Sequence, residues 1–346
     1  MLFTLTTKNH IKQIIFLIIL LILFFIEIIF KKIFTKKNKI KESSNNNIIN
    51  NNEDIPPELF ERNIIDKIKD RLKGCLLSIN ELYFINGLIR KYRPKKIIEI
   101  GVCSGGTSAA ILAAIQDIEG AMLYSCDLEK VHYIDSKLEV GHIVKNNFSE
   151  FQKKWKLFTG NTTAAFIEEI GKDIDFAFID SAHIMPGEVL NVIEILPFLK
   201  KNAIIAFDDI NHHAMEHLFK LNFFYPCNQL LMTVLRGKKI IYNLNRNKPF
   251  EYTKLGAVIL DDNQERYYFD YFYLLSNNWS YMPHSFEIFT IRKIVQKYYD
   301  NYYLQMFDKA VLINYKRLKV NNLLNKDYFL YTFPFFANIR KRPSYN

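Results

Sequence analysis

A chain of 346 residues, 49% of them hydrophobic, is long enough for one large or two small domains with a substantial buried core. Its formal net charge of +10 would suit nucleic acid or anionic lipid, but no Lys/Arg cluster is interleaved with aromatic residues and no zinc-finger or single-strand-binding pattern occurs, so no nucleic-acid partner is expected. The four cysteines, Cys75, Cys103, Cys126 and Cys227, are widely spaced with no CxxC pair, which speaks against a zinc or dithiol redox site and for buried, reduced thiols.

Residues Ile14 to Phe30 read IIFLIILLILFFIEIIF, with Glu27 as the only charge. As a helix this run would span about 26 Å, close to the thickness of a bilayer's hydrocarbon core. The run ends in Lys31-Lys32, without the small residues of a cleavage site, so a retained anchor is expected rather than a signal peptide. Lys8 and Lys12 precede it; Lys31, Lys32, Lys36, Lys37, Lys39 and Lys41 follow it. This asymmetry predicts a single-pass membrane protein, held in the bilayer by residues 1–40, with the remainder facing the cytoplasm. Residues 41–57, KESSNNNIINNNEDIPP, are too polar to order themselves and read as a flexible tether.

Apolar residues recur at helical spacing over Leu59–Leu72 and Asn80–Tyr92. Alternation then sets in: strand Lys96–Ile100, helix Gly106–Ile118, strand Met122–Asp127, a helical stretch at about Tyr133–Gln152, strand Lys156–Thr159, helix Thr162–Ile170, strand Ile174–Asp180, helix Pro186–Leu199 and strand Ala203–Asp208. The pattern predicts an α/β fold: a Rossmann-like, doubly wound, mostly parallel sheet with helices on both faces. Leu230–Arg236, Lys239–Leu244 and Leu255–Leu260 read as late strands, including an antiparallel pair at one edge. The expected domain spans 58–260. Residues 261–346, with RYYFDYFYLL, KYYDNYYLQMF and DYFLYTFPFF, form an aromatic-rich extension for which packing is the default reading.

In such a sheet ligands bind at the carboxyl ends of the strands. Those ends carry Glu99-x-Gly101 with a glycine turn, Asp127, Gly160-Asn161-Thr162, Asp180 and Asp208-Asp209. Gly101 and Gly105 would let backbone approach a ligand, Thr107 and the helix start offer free N–H groups, and Asp127 could accept both hydroxyls of a ribose. A dinucleotide turn wants a glycine where Cys103 stands, which argues against NAD and FAD.

The pattern E-x-G-x-x-x-G-G-[ST] at Glu99–Thr107 resembles motif I of class I S-adenosylmethionine-dependent methyltransferases, in the branch that includes cephalosporin-hydroxylase-type and macrocin-type O-methyltransferases. The segment IDFAFIDSAHIMPGEVLNVIEILPFLKKNAIIAFDDINHH is similar to that branch's strand, Asp-x-x-His, helix, strand and Asp-Asp. The resemblance covers roughly Lys95 to His213. Lys200-Lys201-Asn202 departs from the family's glycine-containing turn, far from the active end.

The resemblance implies that Glu99, Gly101, Gly105, Thr107, Asp127, Asn161 and Asp180 bind S-adenosyl-L-methionine, with Asp127 on the ribose, Asn161 beside the adenine and Glu99 orienting the turn. It also implies that Asp180, Asp208 and Asp209 hold a divalent cation such as Mg²⁺, and that His183 stands where a related branch places a catalytic lysine, so that His183 and Asp180 would be catalytic. Converging carboxylates would need a cation, and a hard one suits oxygen ligands. Each role has a structural competitor: Glu99 as a turn cap, Asp127 and Asp208-Asp209 as helix caps, His183 as hydrogen-bonding scaffold. The expected function is methylation of a hydroxyl on a small molecule or sugar with metal assistance. The alternatives are a metal-independent methyltransferase and a catalytically inactive, membrane-anchored scaffold.

Overall fold

The computed structural model describes residues 55–133, 135–211, 225–242, 254–321 and 324. Contacts divide the chain into Met1–Asp54 and Ile55–Asn346, and every described residue belongs to the second unit. The apolar run 14–30 expected to be an anchor, the tether's residues 41–54, and His212 and His213 lie outside the described residues. Among the described residues no helix is long and apolar enough to cross a membrane.

Seven strands form one sheet: β1 (Lys96–Ile100), β2 (Met122–Asp127), β3 (Trp155–Thr159), β4 (Ile174–Ile179), β5 (Leu199–Phe207), β6 (Gly237–Ile241) and β7 (Gly256–Leu260). Their order is β3-β2-β1-β4-β5-β7-β6. The first five are parallel, and β7 runs antiparallel to both β5 and β6. Chain order reverses between β1 and β4, the position at which a doubly wound sheet opens a crevice.

The central strands have apolar residues on both faces because both faces are covered. On one side Ile97, Phe176, Phe178 and Ile204 meet α2 (Ile79–Tyr92) and α3 (Gly106–Ala114); on the other Ile98, Ala177, Ile179, Ile205 and Phe207 meet α6 (Gly187–Ile195) and the helices after β7. Helix α2 starts at a capping box in which the Ser78 hydroxyl accepts from Glu81 N and Glu81 accepts from Ser78 N. Every residue of α3 is buried, as expected of a helix apolar all round. Helices α8 (Tyr268–Leu274), α9 (Ser285–Tyr298) and α10 (Asn301–Val320) place Tyr271, Phe272, Ile291, Val295 and Phe307, and the link between α8 and α9 places Trp279, in the same core as β4 and β5. Among the described residues after 260, part of the aromatic density is thus packing surface, with Tyr268 and Phe272 edge-on to Tyr299 at 4.8 and 4.9 Å; the segment DYFLYTFPFF lies outside the described residues.

Local boundaries differ from the sequence pattern where backbone or side-chain spacing intervenes. The expected helix Leu59–Leu72 is three short pieces, a 3-10 turn (Pro57–Leu59), α1 (Asn63–Asp66) and a second 3-10 turn (Lys69–Arg71); Glu61 at φ 48 interrupts it. The stretch 133–152 contains only α4 (His142–Asn147) and part of a 3-10 segment (Ser149–Lys154), and the helix after β3 is reduced to α5 (Ile167–Ile170) with a preceding 3-10 turn (Thr163–Ala165). Leu230–Arg236 is not a strand: α7 (Asn228–Val234) occupies it. Asn228, Leu231, Met232 and Leu235 are buried, a three-to-four residue period that a short run of apolar residues hides.

Candidate active site

Register brings the strand ends to one level. Ile100 pairs with Cys126 and with Ile179, Asp127 with Thr159, and Ile179 with Phe207. The next residues, Gly101, Gly160, Asp180 and Asp208, each continue the ladder by one hydrogen bond, Gly101 N to Cys126 O, Gly160 N to Asp127 O, Asp180 N to Ile100 O and Asp208 N to Ile179 O. With strands about 4.8 Å apart, the polar termini picked out in the sequence become neighbours.

Asp127 locks the glycine turn. Its Oδ2 accepts from Val102 N and Cys103 N, both at 2.9 Å, and its Oδ1 accepts from Glu129 N at 2.8 Å. Gly101 has φ +90, and a Cβ there would lie 1.8 Å from the carbonyl oxygen of Asp180; at Gly105 (φ +85) it would lie 2.8 Å from Gly141 Cα. These glycines are required by close approach of the protein's own backbone, a closer constraint than the ligand approach expected from sequence. Gly101→Ala is expected to lose roughly 3–5 kcal/mol of stability, read by denaturant unfolding; a loss below about 1 kcal/mol would contradict the clash.

Glu99 lies beneath the turn, fully buried. Its Oε2 accepts from Ser108 and Ser125 hydroxyls at 2.6 Å each, and its Oε1 has no hydrogen-bond partner. Burial pushes its carboxyl from 4.5 to about 7, against those hydrogen bonds. At the end of β3, the Asn161 Oδ1 accepts from Thr162 N at 2.9 Å, while the Thr162 hydroxyl and Ala164 N donate to Glu194 at 2.9 and 2.8 Å. Burial carries Glu194 up to about 8.

After β4 the chain bends through His183 at φ +62. Its N–H donates to Glu188 Oε1 at 2.6 Å, its Nε2 lies 3.4 Å from Asp180 Oδ1 and 3.7 Å from Asp209 Oδ2, and its Nδ1 lies 3.5 Å from Glu188 Oε1. Glu188, buried at the start of α6, also accepts from Cys227 Sγ at 2.8 Å, so one carboxylate fixes the whole bend. Burial, then the charges of Asp208 and Asp209, raise Asp180 well above the ordinary carboxylate range, with Lys254 opposing. Asp208 is raised by burial and then by Asp209.

A cavity of about 230 Å³ runs across these strand ends, and Gly101, Thr107, Asp127, Asn161, Asp180 and His183 all line it. Glu99, Gly105, Asp208 and Asp209 stand outside its wall. Glu194 lines it from α6, and Tyr281, Glu287 and Ile291 line it from the segment after β7, which no pattern in the sequence assigned to a site. Cys75 and Cys103 line it too; burial lifts their thiols to about 11 and about 12, so both are neutral near pH 7 and neither is an activated nucleophile.

The acids expected to hold Mg²⁺ do converge, and Asp208 Oδ1 is buried without a hydrogen-bond partner. Their positive partner, however, is the Lys254 ammonium, 3.3 Å from Asp209 Oδ1 and 3.9 Å from Asp208 Oδ2. Among the described residues no three His, Cys, Asp or Glu side chains form a group that could hold a metal ion. The donor set does not fit a divalent cation, so that expectation is not supported. Sequence reading missed Lys254 because it lies far along the chain from Asp209.

Residues 98–210 match the family model described as a methyltransferase domain. No curated protein matches the chain. Among solved structures, a putative O-methyltransferase from Klebsiella pneumoniae is 14% identical, with a TM-score of 0.42, over 57% of this chain and 90% of that one. The O-methyltransferase from Bacillus cereus in complex with SAH is 13% identical, with a TM-score of 0.40, over 57% and 90%. TomG from Streptomyces achromogenes, an O-methyltransferase solved with SAM, is 11% identical, with a TM-score of 0.40, over 57% and 87%. Over residues 98–210 the chain is thus similar to a methyltransferase domain.

Proposed function

We propose that the chain transfers a methyl group from S-adenosyl-L-methionine to a hydroxyl oxygen of a small-molecule or sugar acceptor. The observation that carries this reading is the single cavity shared by the turn at Gly101, Asp127, Asn161, Asp180 and His183. The cofactor supplies an electrophilic methyl on a sulfonium. Asp127, already anchored to the turn by two backbone N–H groups and held by that of Glu129, keeps lone pairs for ribose hydroxyls, and Asn161 lines the adjoining wall for the adenine.

A neutral hydroxyl must lose its proton as its oxygen forms the new bond to carbon. His183 is the cavity-lining group suited to take it at Nε2, with Glu188 Oε1 3.5 Å from its Nδ1 to orient the ring. The new C–O bond forms as the S–CH₃ bond breaks, its electron pair passes to sulfur, and the proton goes to His183. This step requires no metal.

The apolar run 14–30 and the lysines after it support a single bilayer anchor with the methyltransferase domain on the cytoplasmic side. Deleting residues 1–40 is then expected to release soluble protein that still binds cofactor.

The test is calorimetry with S-adenosylhomocysteine, followed by incubation of the protein with labelled cofactor and fractionated lysate metabolites. Binding, and a labelled product whose new methyl resonates as an O-methyl in NMR, are expected. An N-methyl product would overturn the acceptor class. Absence of binding would overturn the enzyme reading in favour of an inactive scaffold.

A further inference from the structure

We propose that Lys254 is a built-in counter-cation for the acids at the end of β5, an ammonium standing where related chemistry would call for a divalent metal, so that this chain holds those carboxylates in place without one. The bearing on catalysis rests on the methyltransferase reading; the charge arrangement does not.

The topology puts Lys254 there. Strands β5 and β7 are antiparallel, with Phe207 opposite Gly256. Continuing that register by two residues sets Lys254 opposite Asp209, and Ile210 N donates to the Lys254 carbonyl at 2.9 Å, fixing its backbone. From this position Nζ reaches three carboxylates: Asp209 Oδ1 at 3.3 Å, Glu81 Oε1 at 3.6 Å and Asp208 Oδ2 at 3.9 Å. The acids are held independently. Glu81 Oε2 accepts from Ser78 N at 2.7 Å in the cap of α2. Asp208 is tied through its N–H to Ile179 and through its carbonyl to the Asn228 amide at 2.7 Å. His183 Nε2 faces both Asp180 Oδ1, at 3.4 Å, and Asp209 Oδ2, at 3.7 Å.

Each acid side chain is at most 12% exposed, whereas that of Lys254 is 40% exposed. Buried carboxylates this close cannot all ionise without a positive partner. The ammonium provides it, and its own position is set by the three acids. A divalent ion drawn to the same oxygens would meet that ammonium at short range, a like-charge contact that opposes metal entry. Lys254 is therefore a positioning residue: it keeps Asp209 where Asp209 and Asp180 both face His183 Nε2.

The test titrates Mn²⁺ into the full-length protein and its variants in EDTA-treated, detergent-solubilised form, by calorimetry and by thermal melting. The wild-type chain is expected to bind no Mn²⁺ and to melt identically with Mn²⁺ or EDTA. Lys254→Met removes the ammonium and leaves the acids. It is expected to melt lower in EDTA, to recover with Mn²⁺, and to bind Mn²⁺ under conditions in which the wild-type chain shows no binding, a gain that a merely structural role would not produce. Should Lys254→Met fail to fold, Lys254→Gln replaces it in the same comparison. Stoichiometric Mn²⁺ binding by the wild-type chain overturns the proposal whatever the variants do. A folded variant that melts as wild type does and gains no Mn²⁺ affinity also overturns it. Loss of the methyltransferase reading would appear separately, as failure of the wild-type chain to bind S-adenosylhomocysteine.

Discussion

Asp127→Ala is expected to lower affinity for S-adenosylhomocysteine by at least roughly 100-fold, about 3 kcal/mol. The carboxylate has two tasks. It accepts three backbone N–H groups that shape the turn from Val102 to Cys103 and the residue Glu129, and it faces the cavity where a ribose would present two hydroxyl donors. Hydrogen bonds to a charged acceptor contribute about 1.5–3 kcal/mol each, so loss of the ligand contacts alone suffices for the effect. Asp127→Asn separates the tasks. Its amide oxygen still accepts from Val102 N and Cys103 N and only the Glu129 contact is lost, so a stability loss of about 1 kcal/mol is expected, while its amide nitrogen no longer accepts the ribose hydroxyl protons. Calorimetry and thermal melting on both variants check this. Wild-type affinity in a folded Asp127→Asn protein would show that the turn, and not the ligand, is what this acid serves.

Glu194→Gln is expected to stabilise the protein at alkaline pH and to be neutral in acid. Burial raises the Glu194 carboxyl from 4.5 to about 8, so the folded chain keeps a proton that the unfolded chain releases. Between those values the native state binds more protons than the unfolded state, and stability falls as pH rises. The penalty is absent below about pH 4.5 and complete above pH 8. At about 1.4 kcal/mol per unit it reaches roughly 5 kcal/mol. Glutamine never ionises, and its carbonyl oxygen can still accept from Thr162 and Ala164. Melting curves of the two proteins should coincide near the lower pH and diverge by roughly 10 °C above the upper one. Glu99, raised to about 7, acts with the same sign over a shorter range. Superimposable melting profiles at all pH values would show that Glu194 is not buried in its ionised form.

Much of this site was legible in the chain because strand ends are local events. The apolar run Ile97–Ile100 stops at Gly101, and similar breaks follow Met122–Asp127, Trp155–Thr159 and Ile174–Ile179. Alternation of apolar blocks with helical periods marked a parallel sheet, the rule that ligands meet its carboxyl edge pointed to Asp127, Asn161 and Asp180, and the family resemblance pointed to His183; all four line the cavity. Less was legible where one short apolar run fits two periods, as at Asn228–Val234, or where a single positive φ, as at Glu61, breaks a helix that composition favours.

By itself the sequence determined the order of elements and the chemical character of each strand end, since both follow from the spacing of apolar, glycine and acidic residues along neighbouring stretches of chain. The tertiary structure decided which of those ends share a wall and what neutralises them. Antiparallel pairing of β7 with β5 carries Lys254 to Asp209, and the packing of α9 against the rest of the core brings Glu287 and Ile291 to the cavity. Register between strands distant in the chain is set by the packing of whole faces, a long-range property that no local pattern encodes.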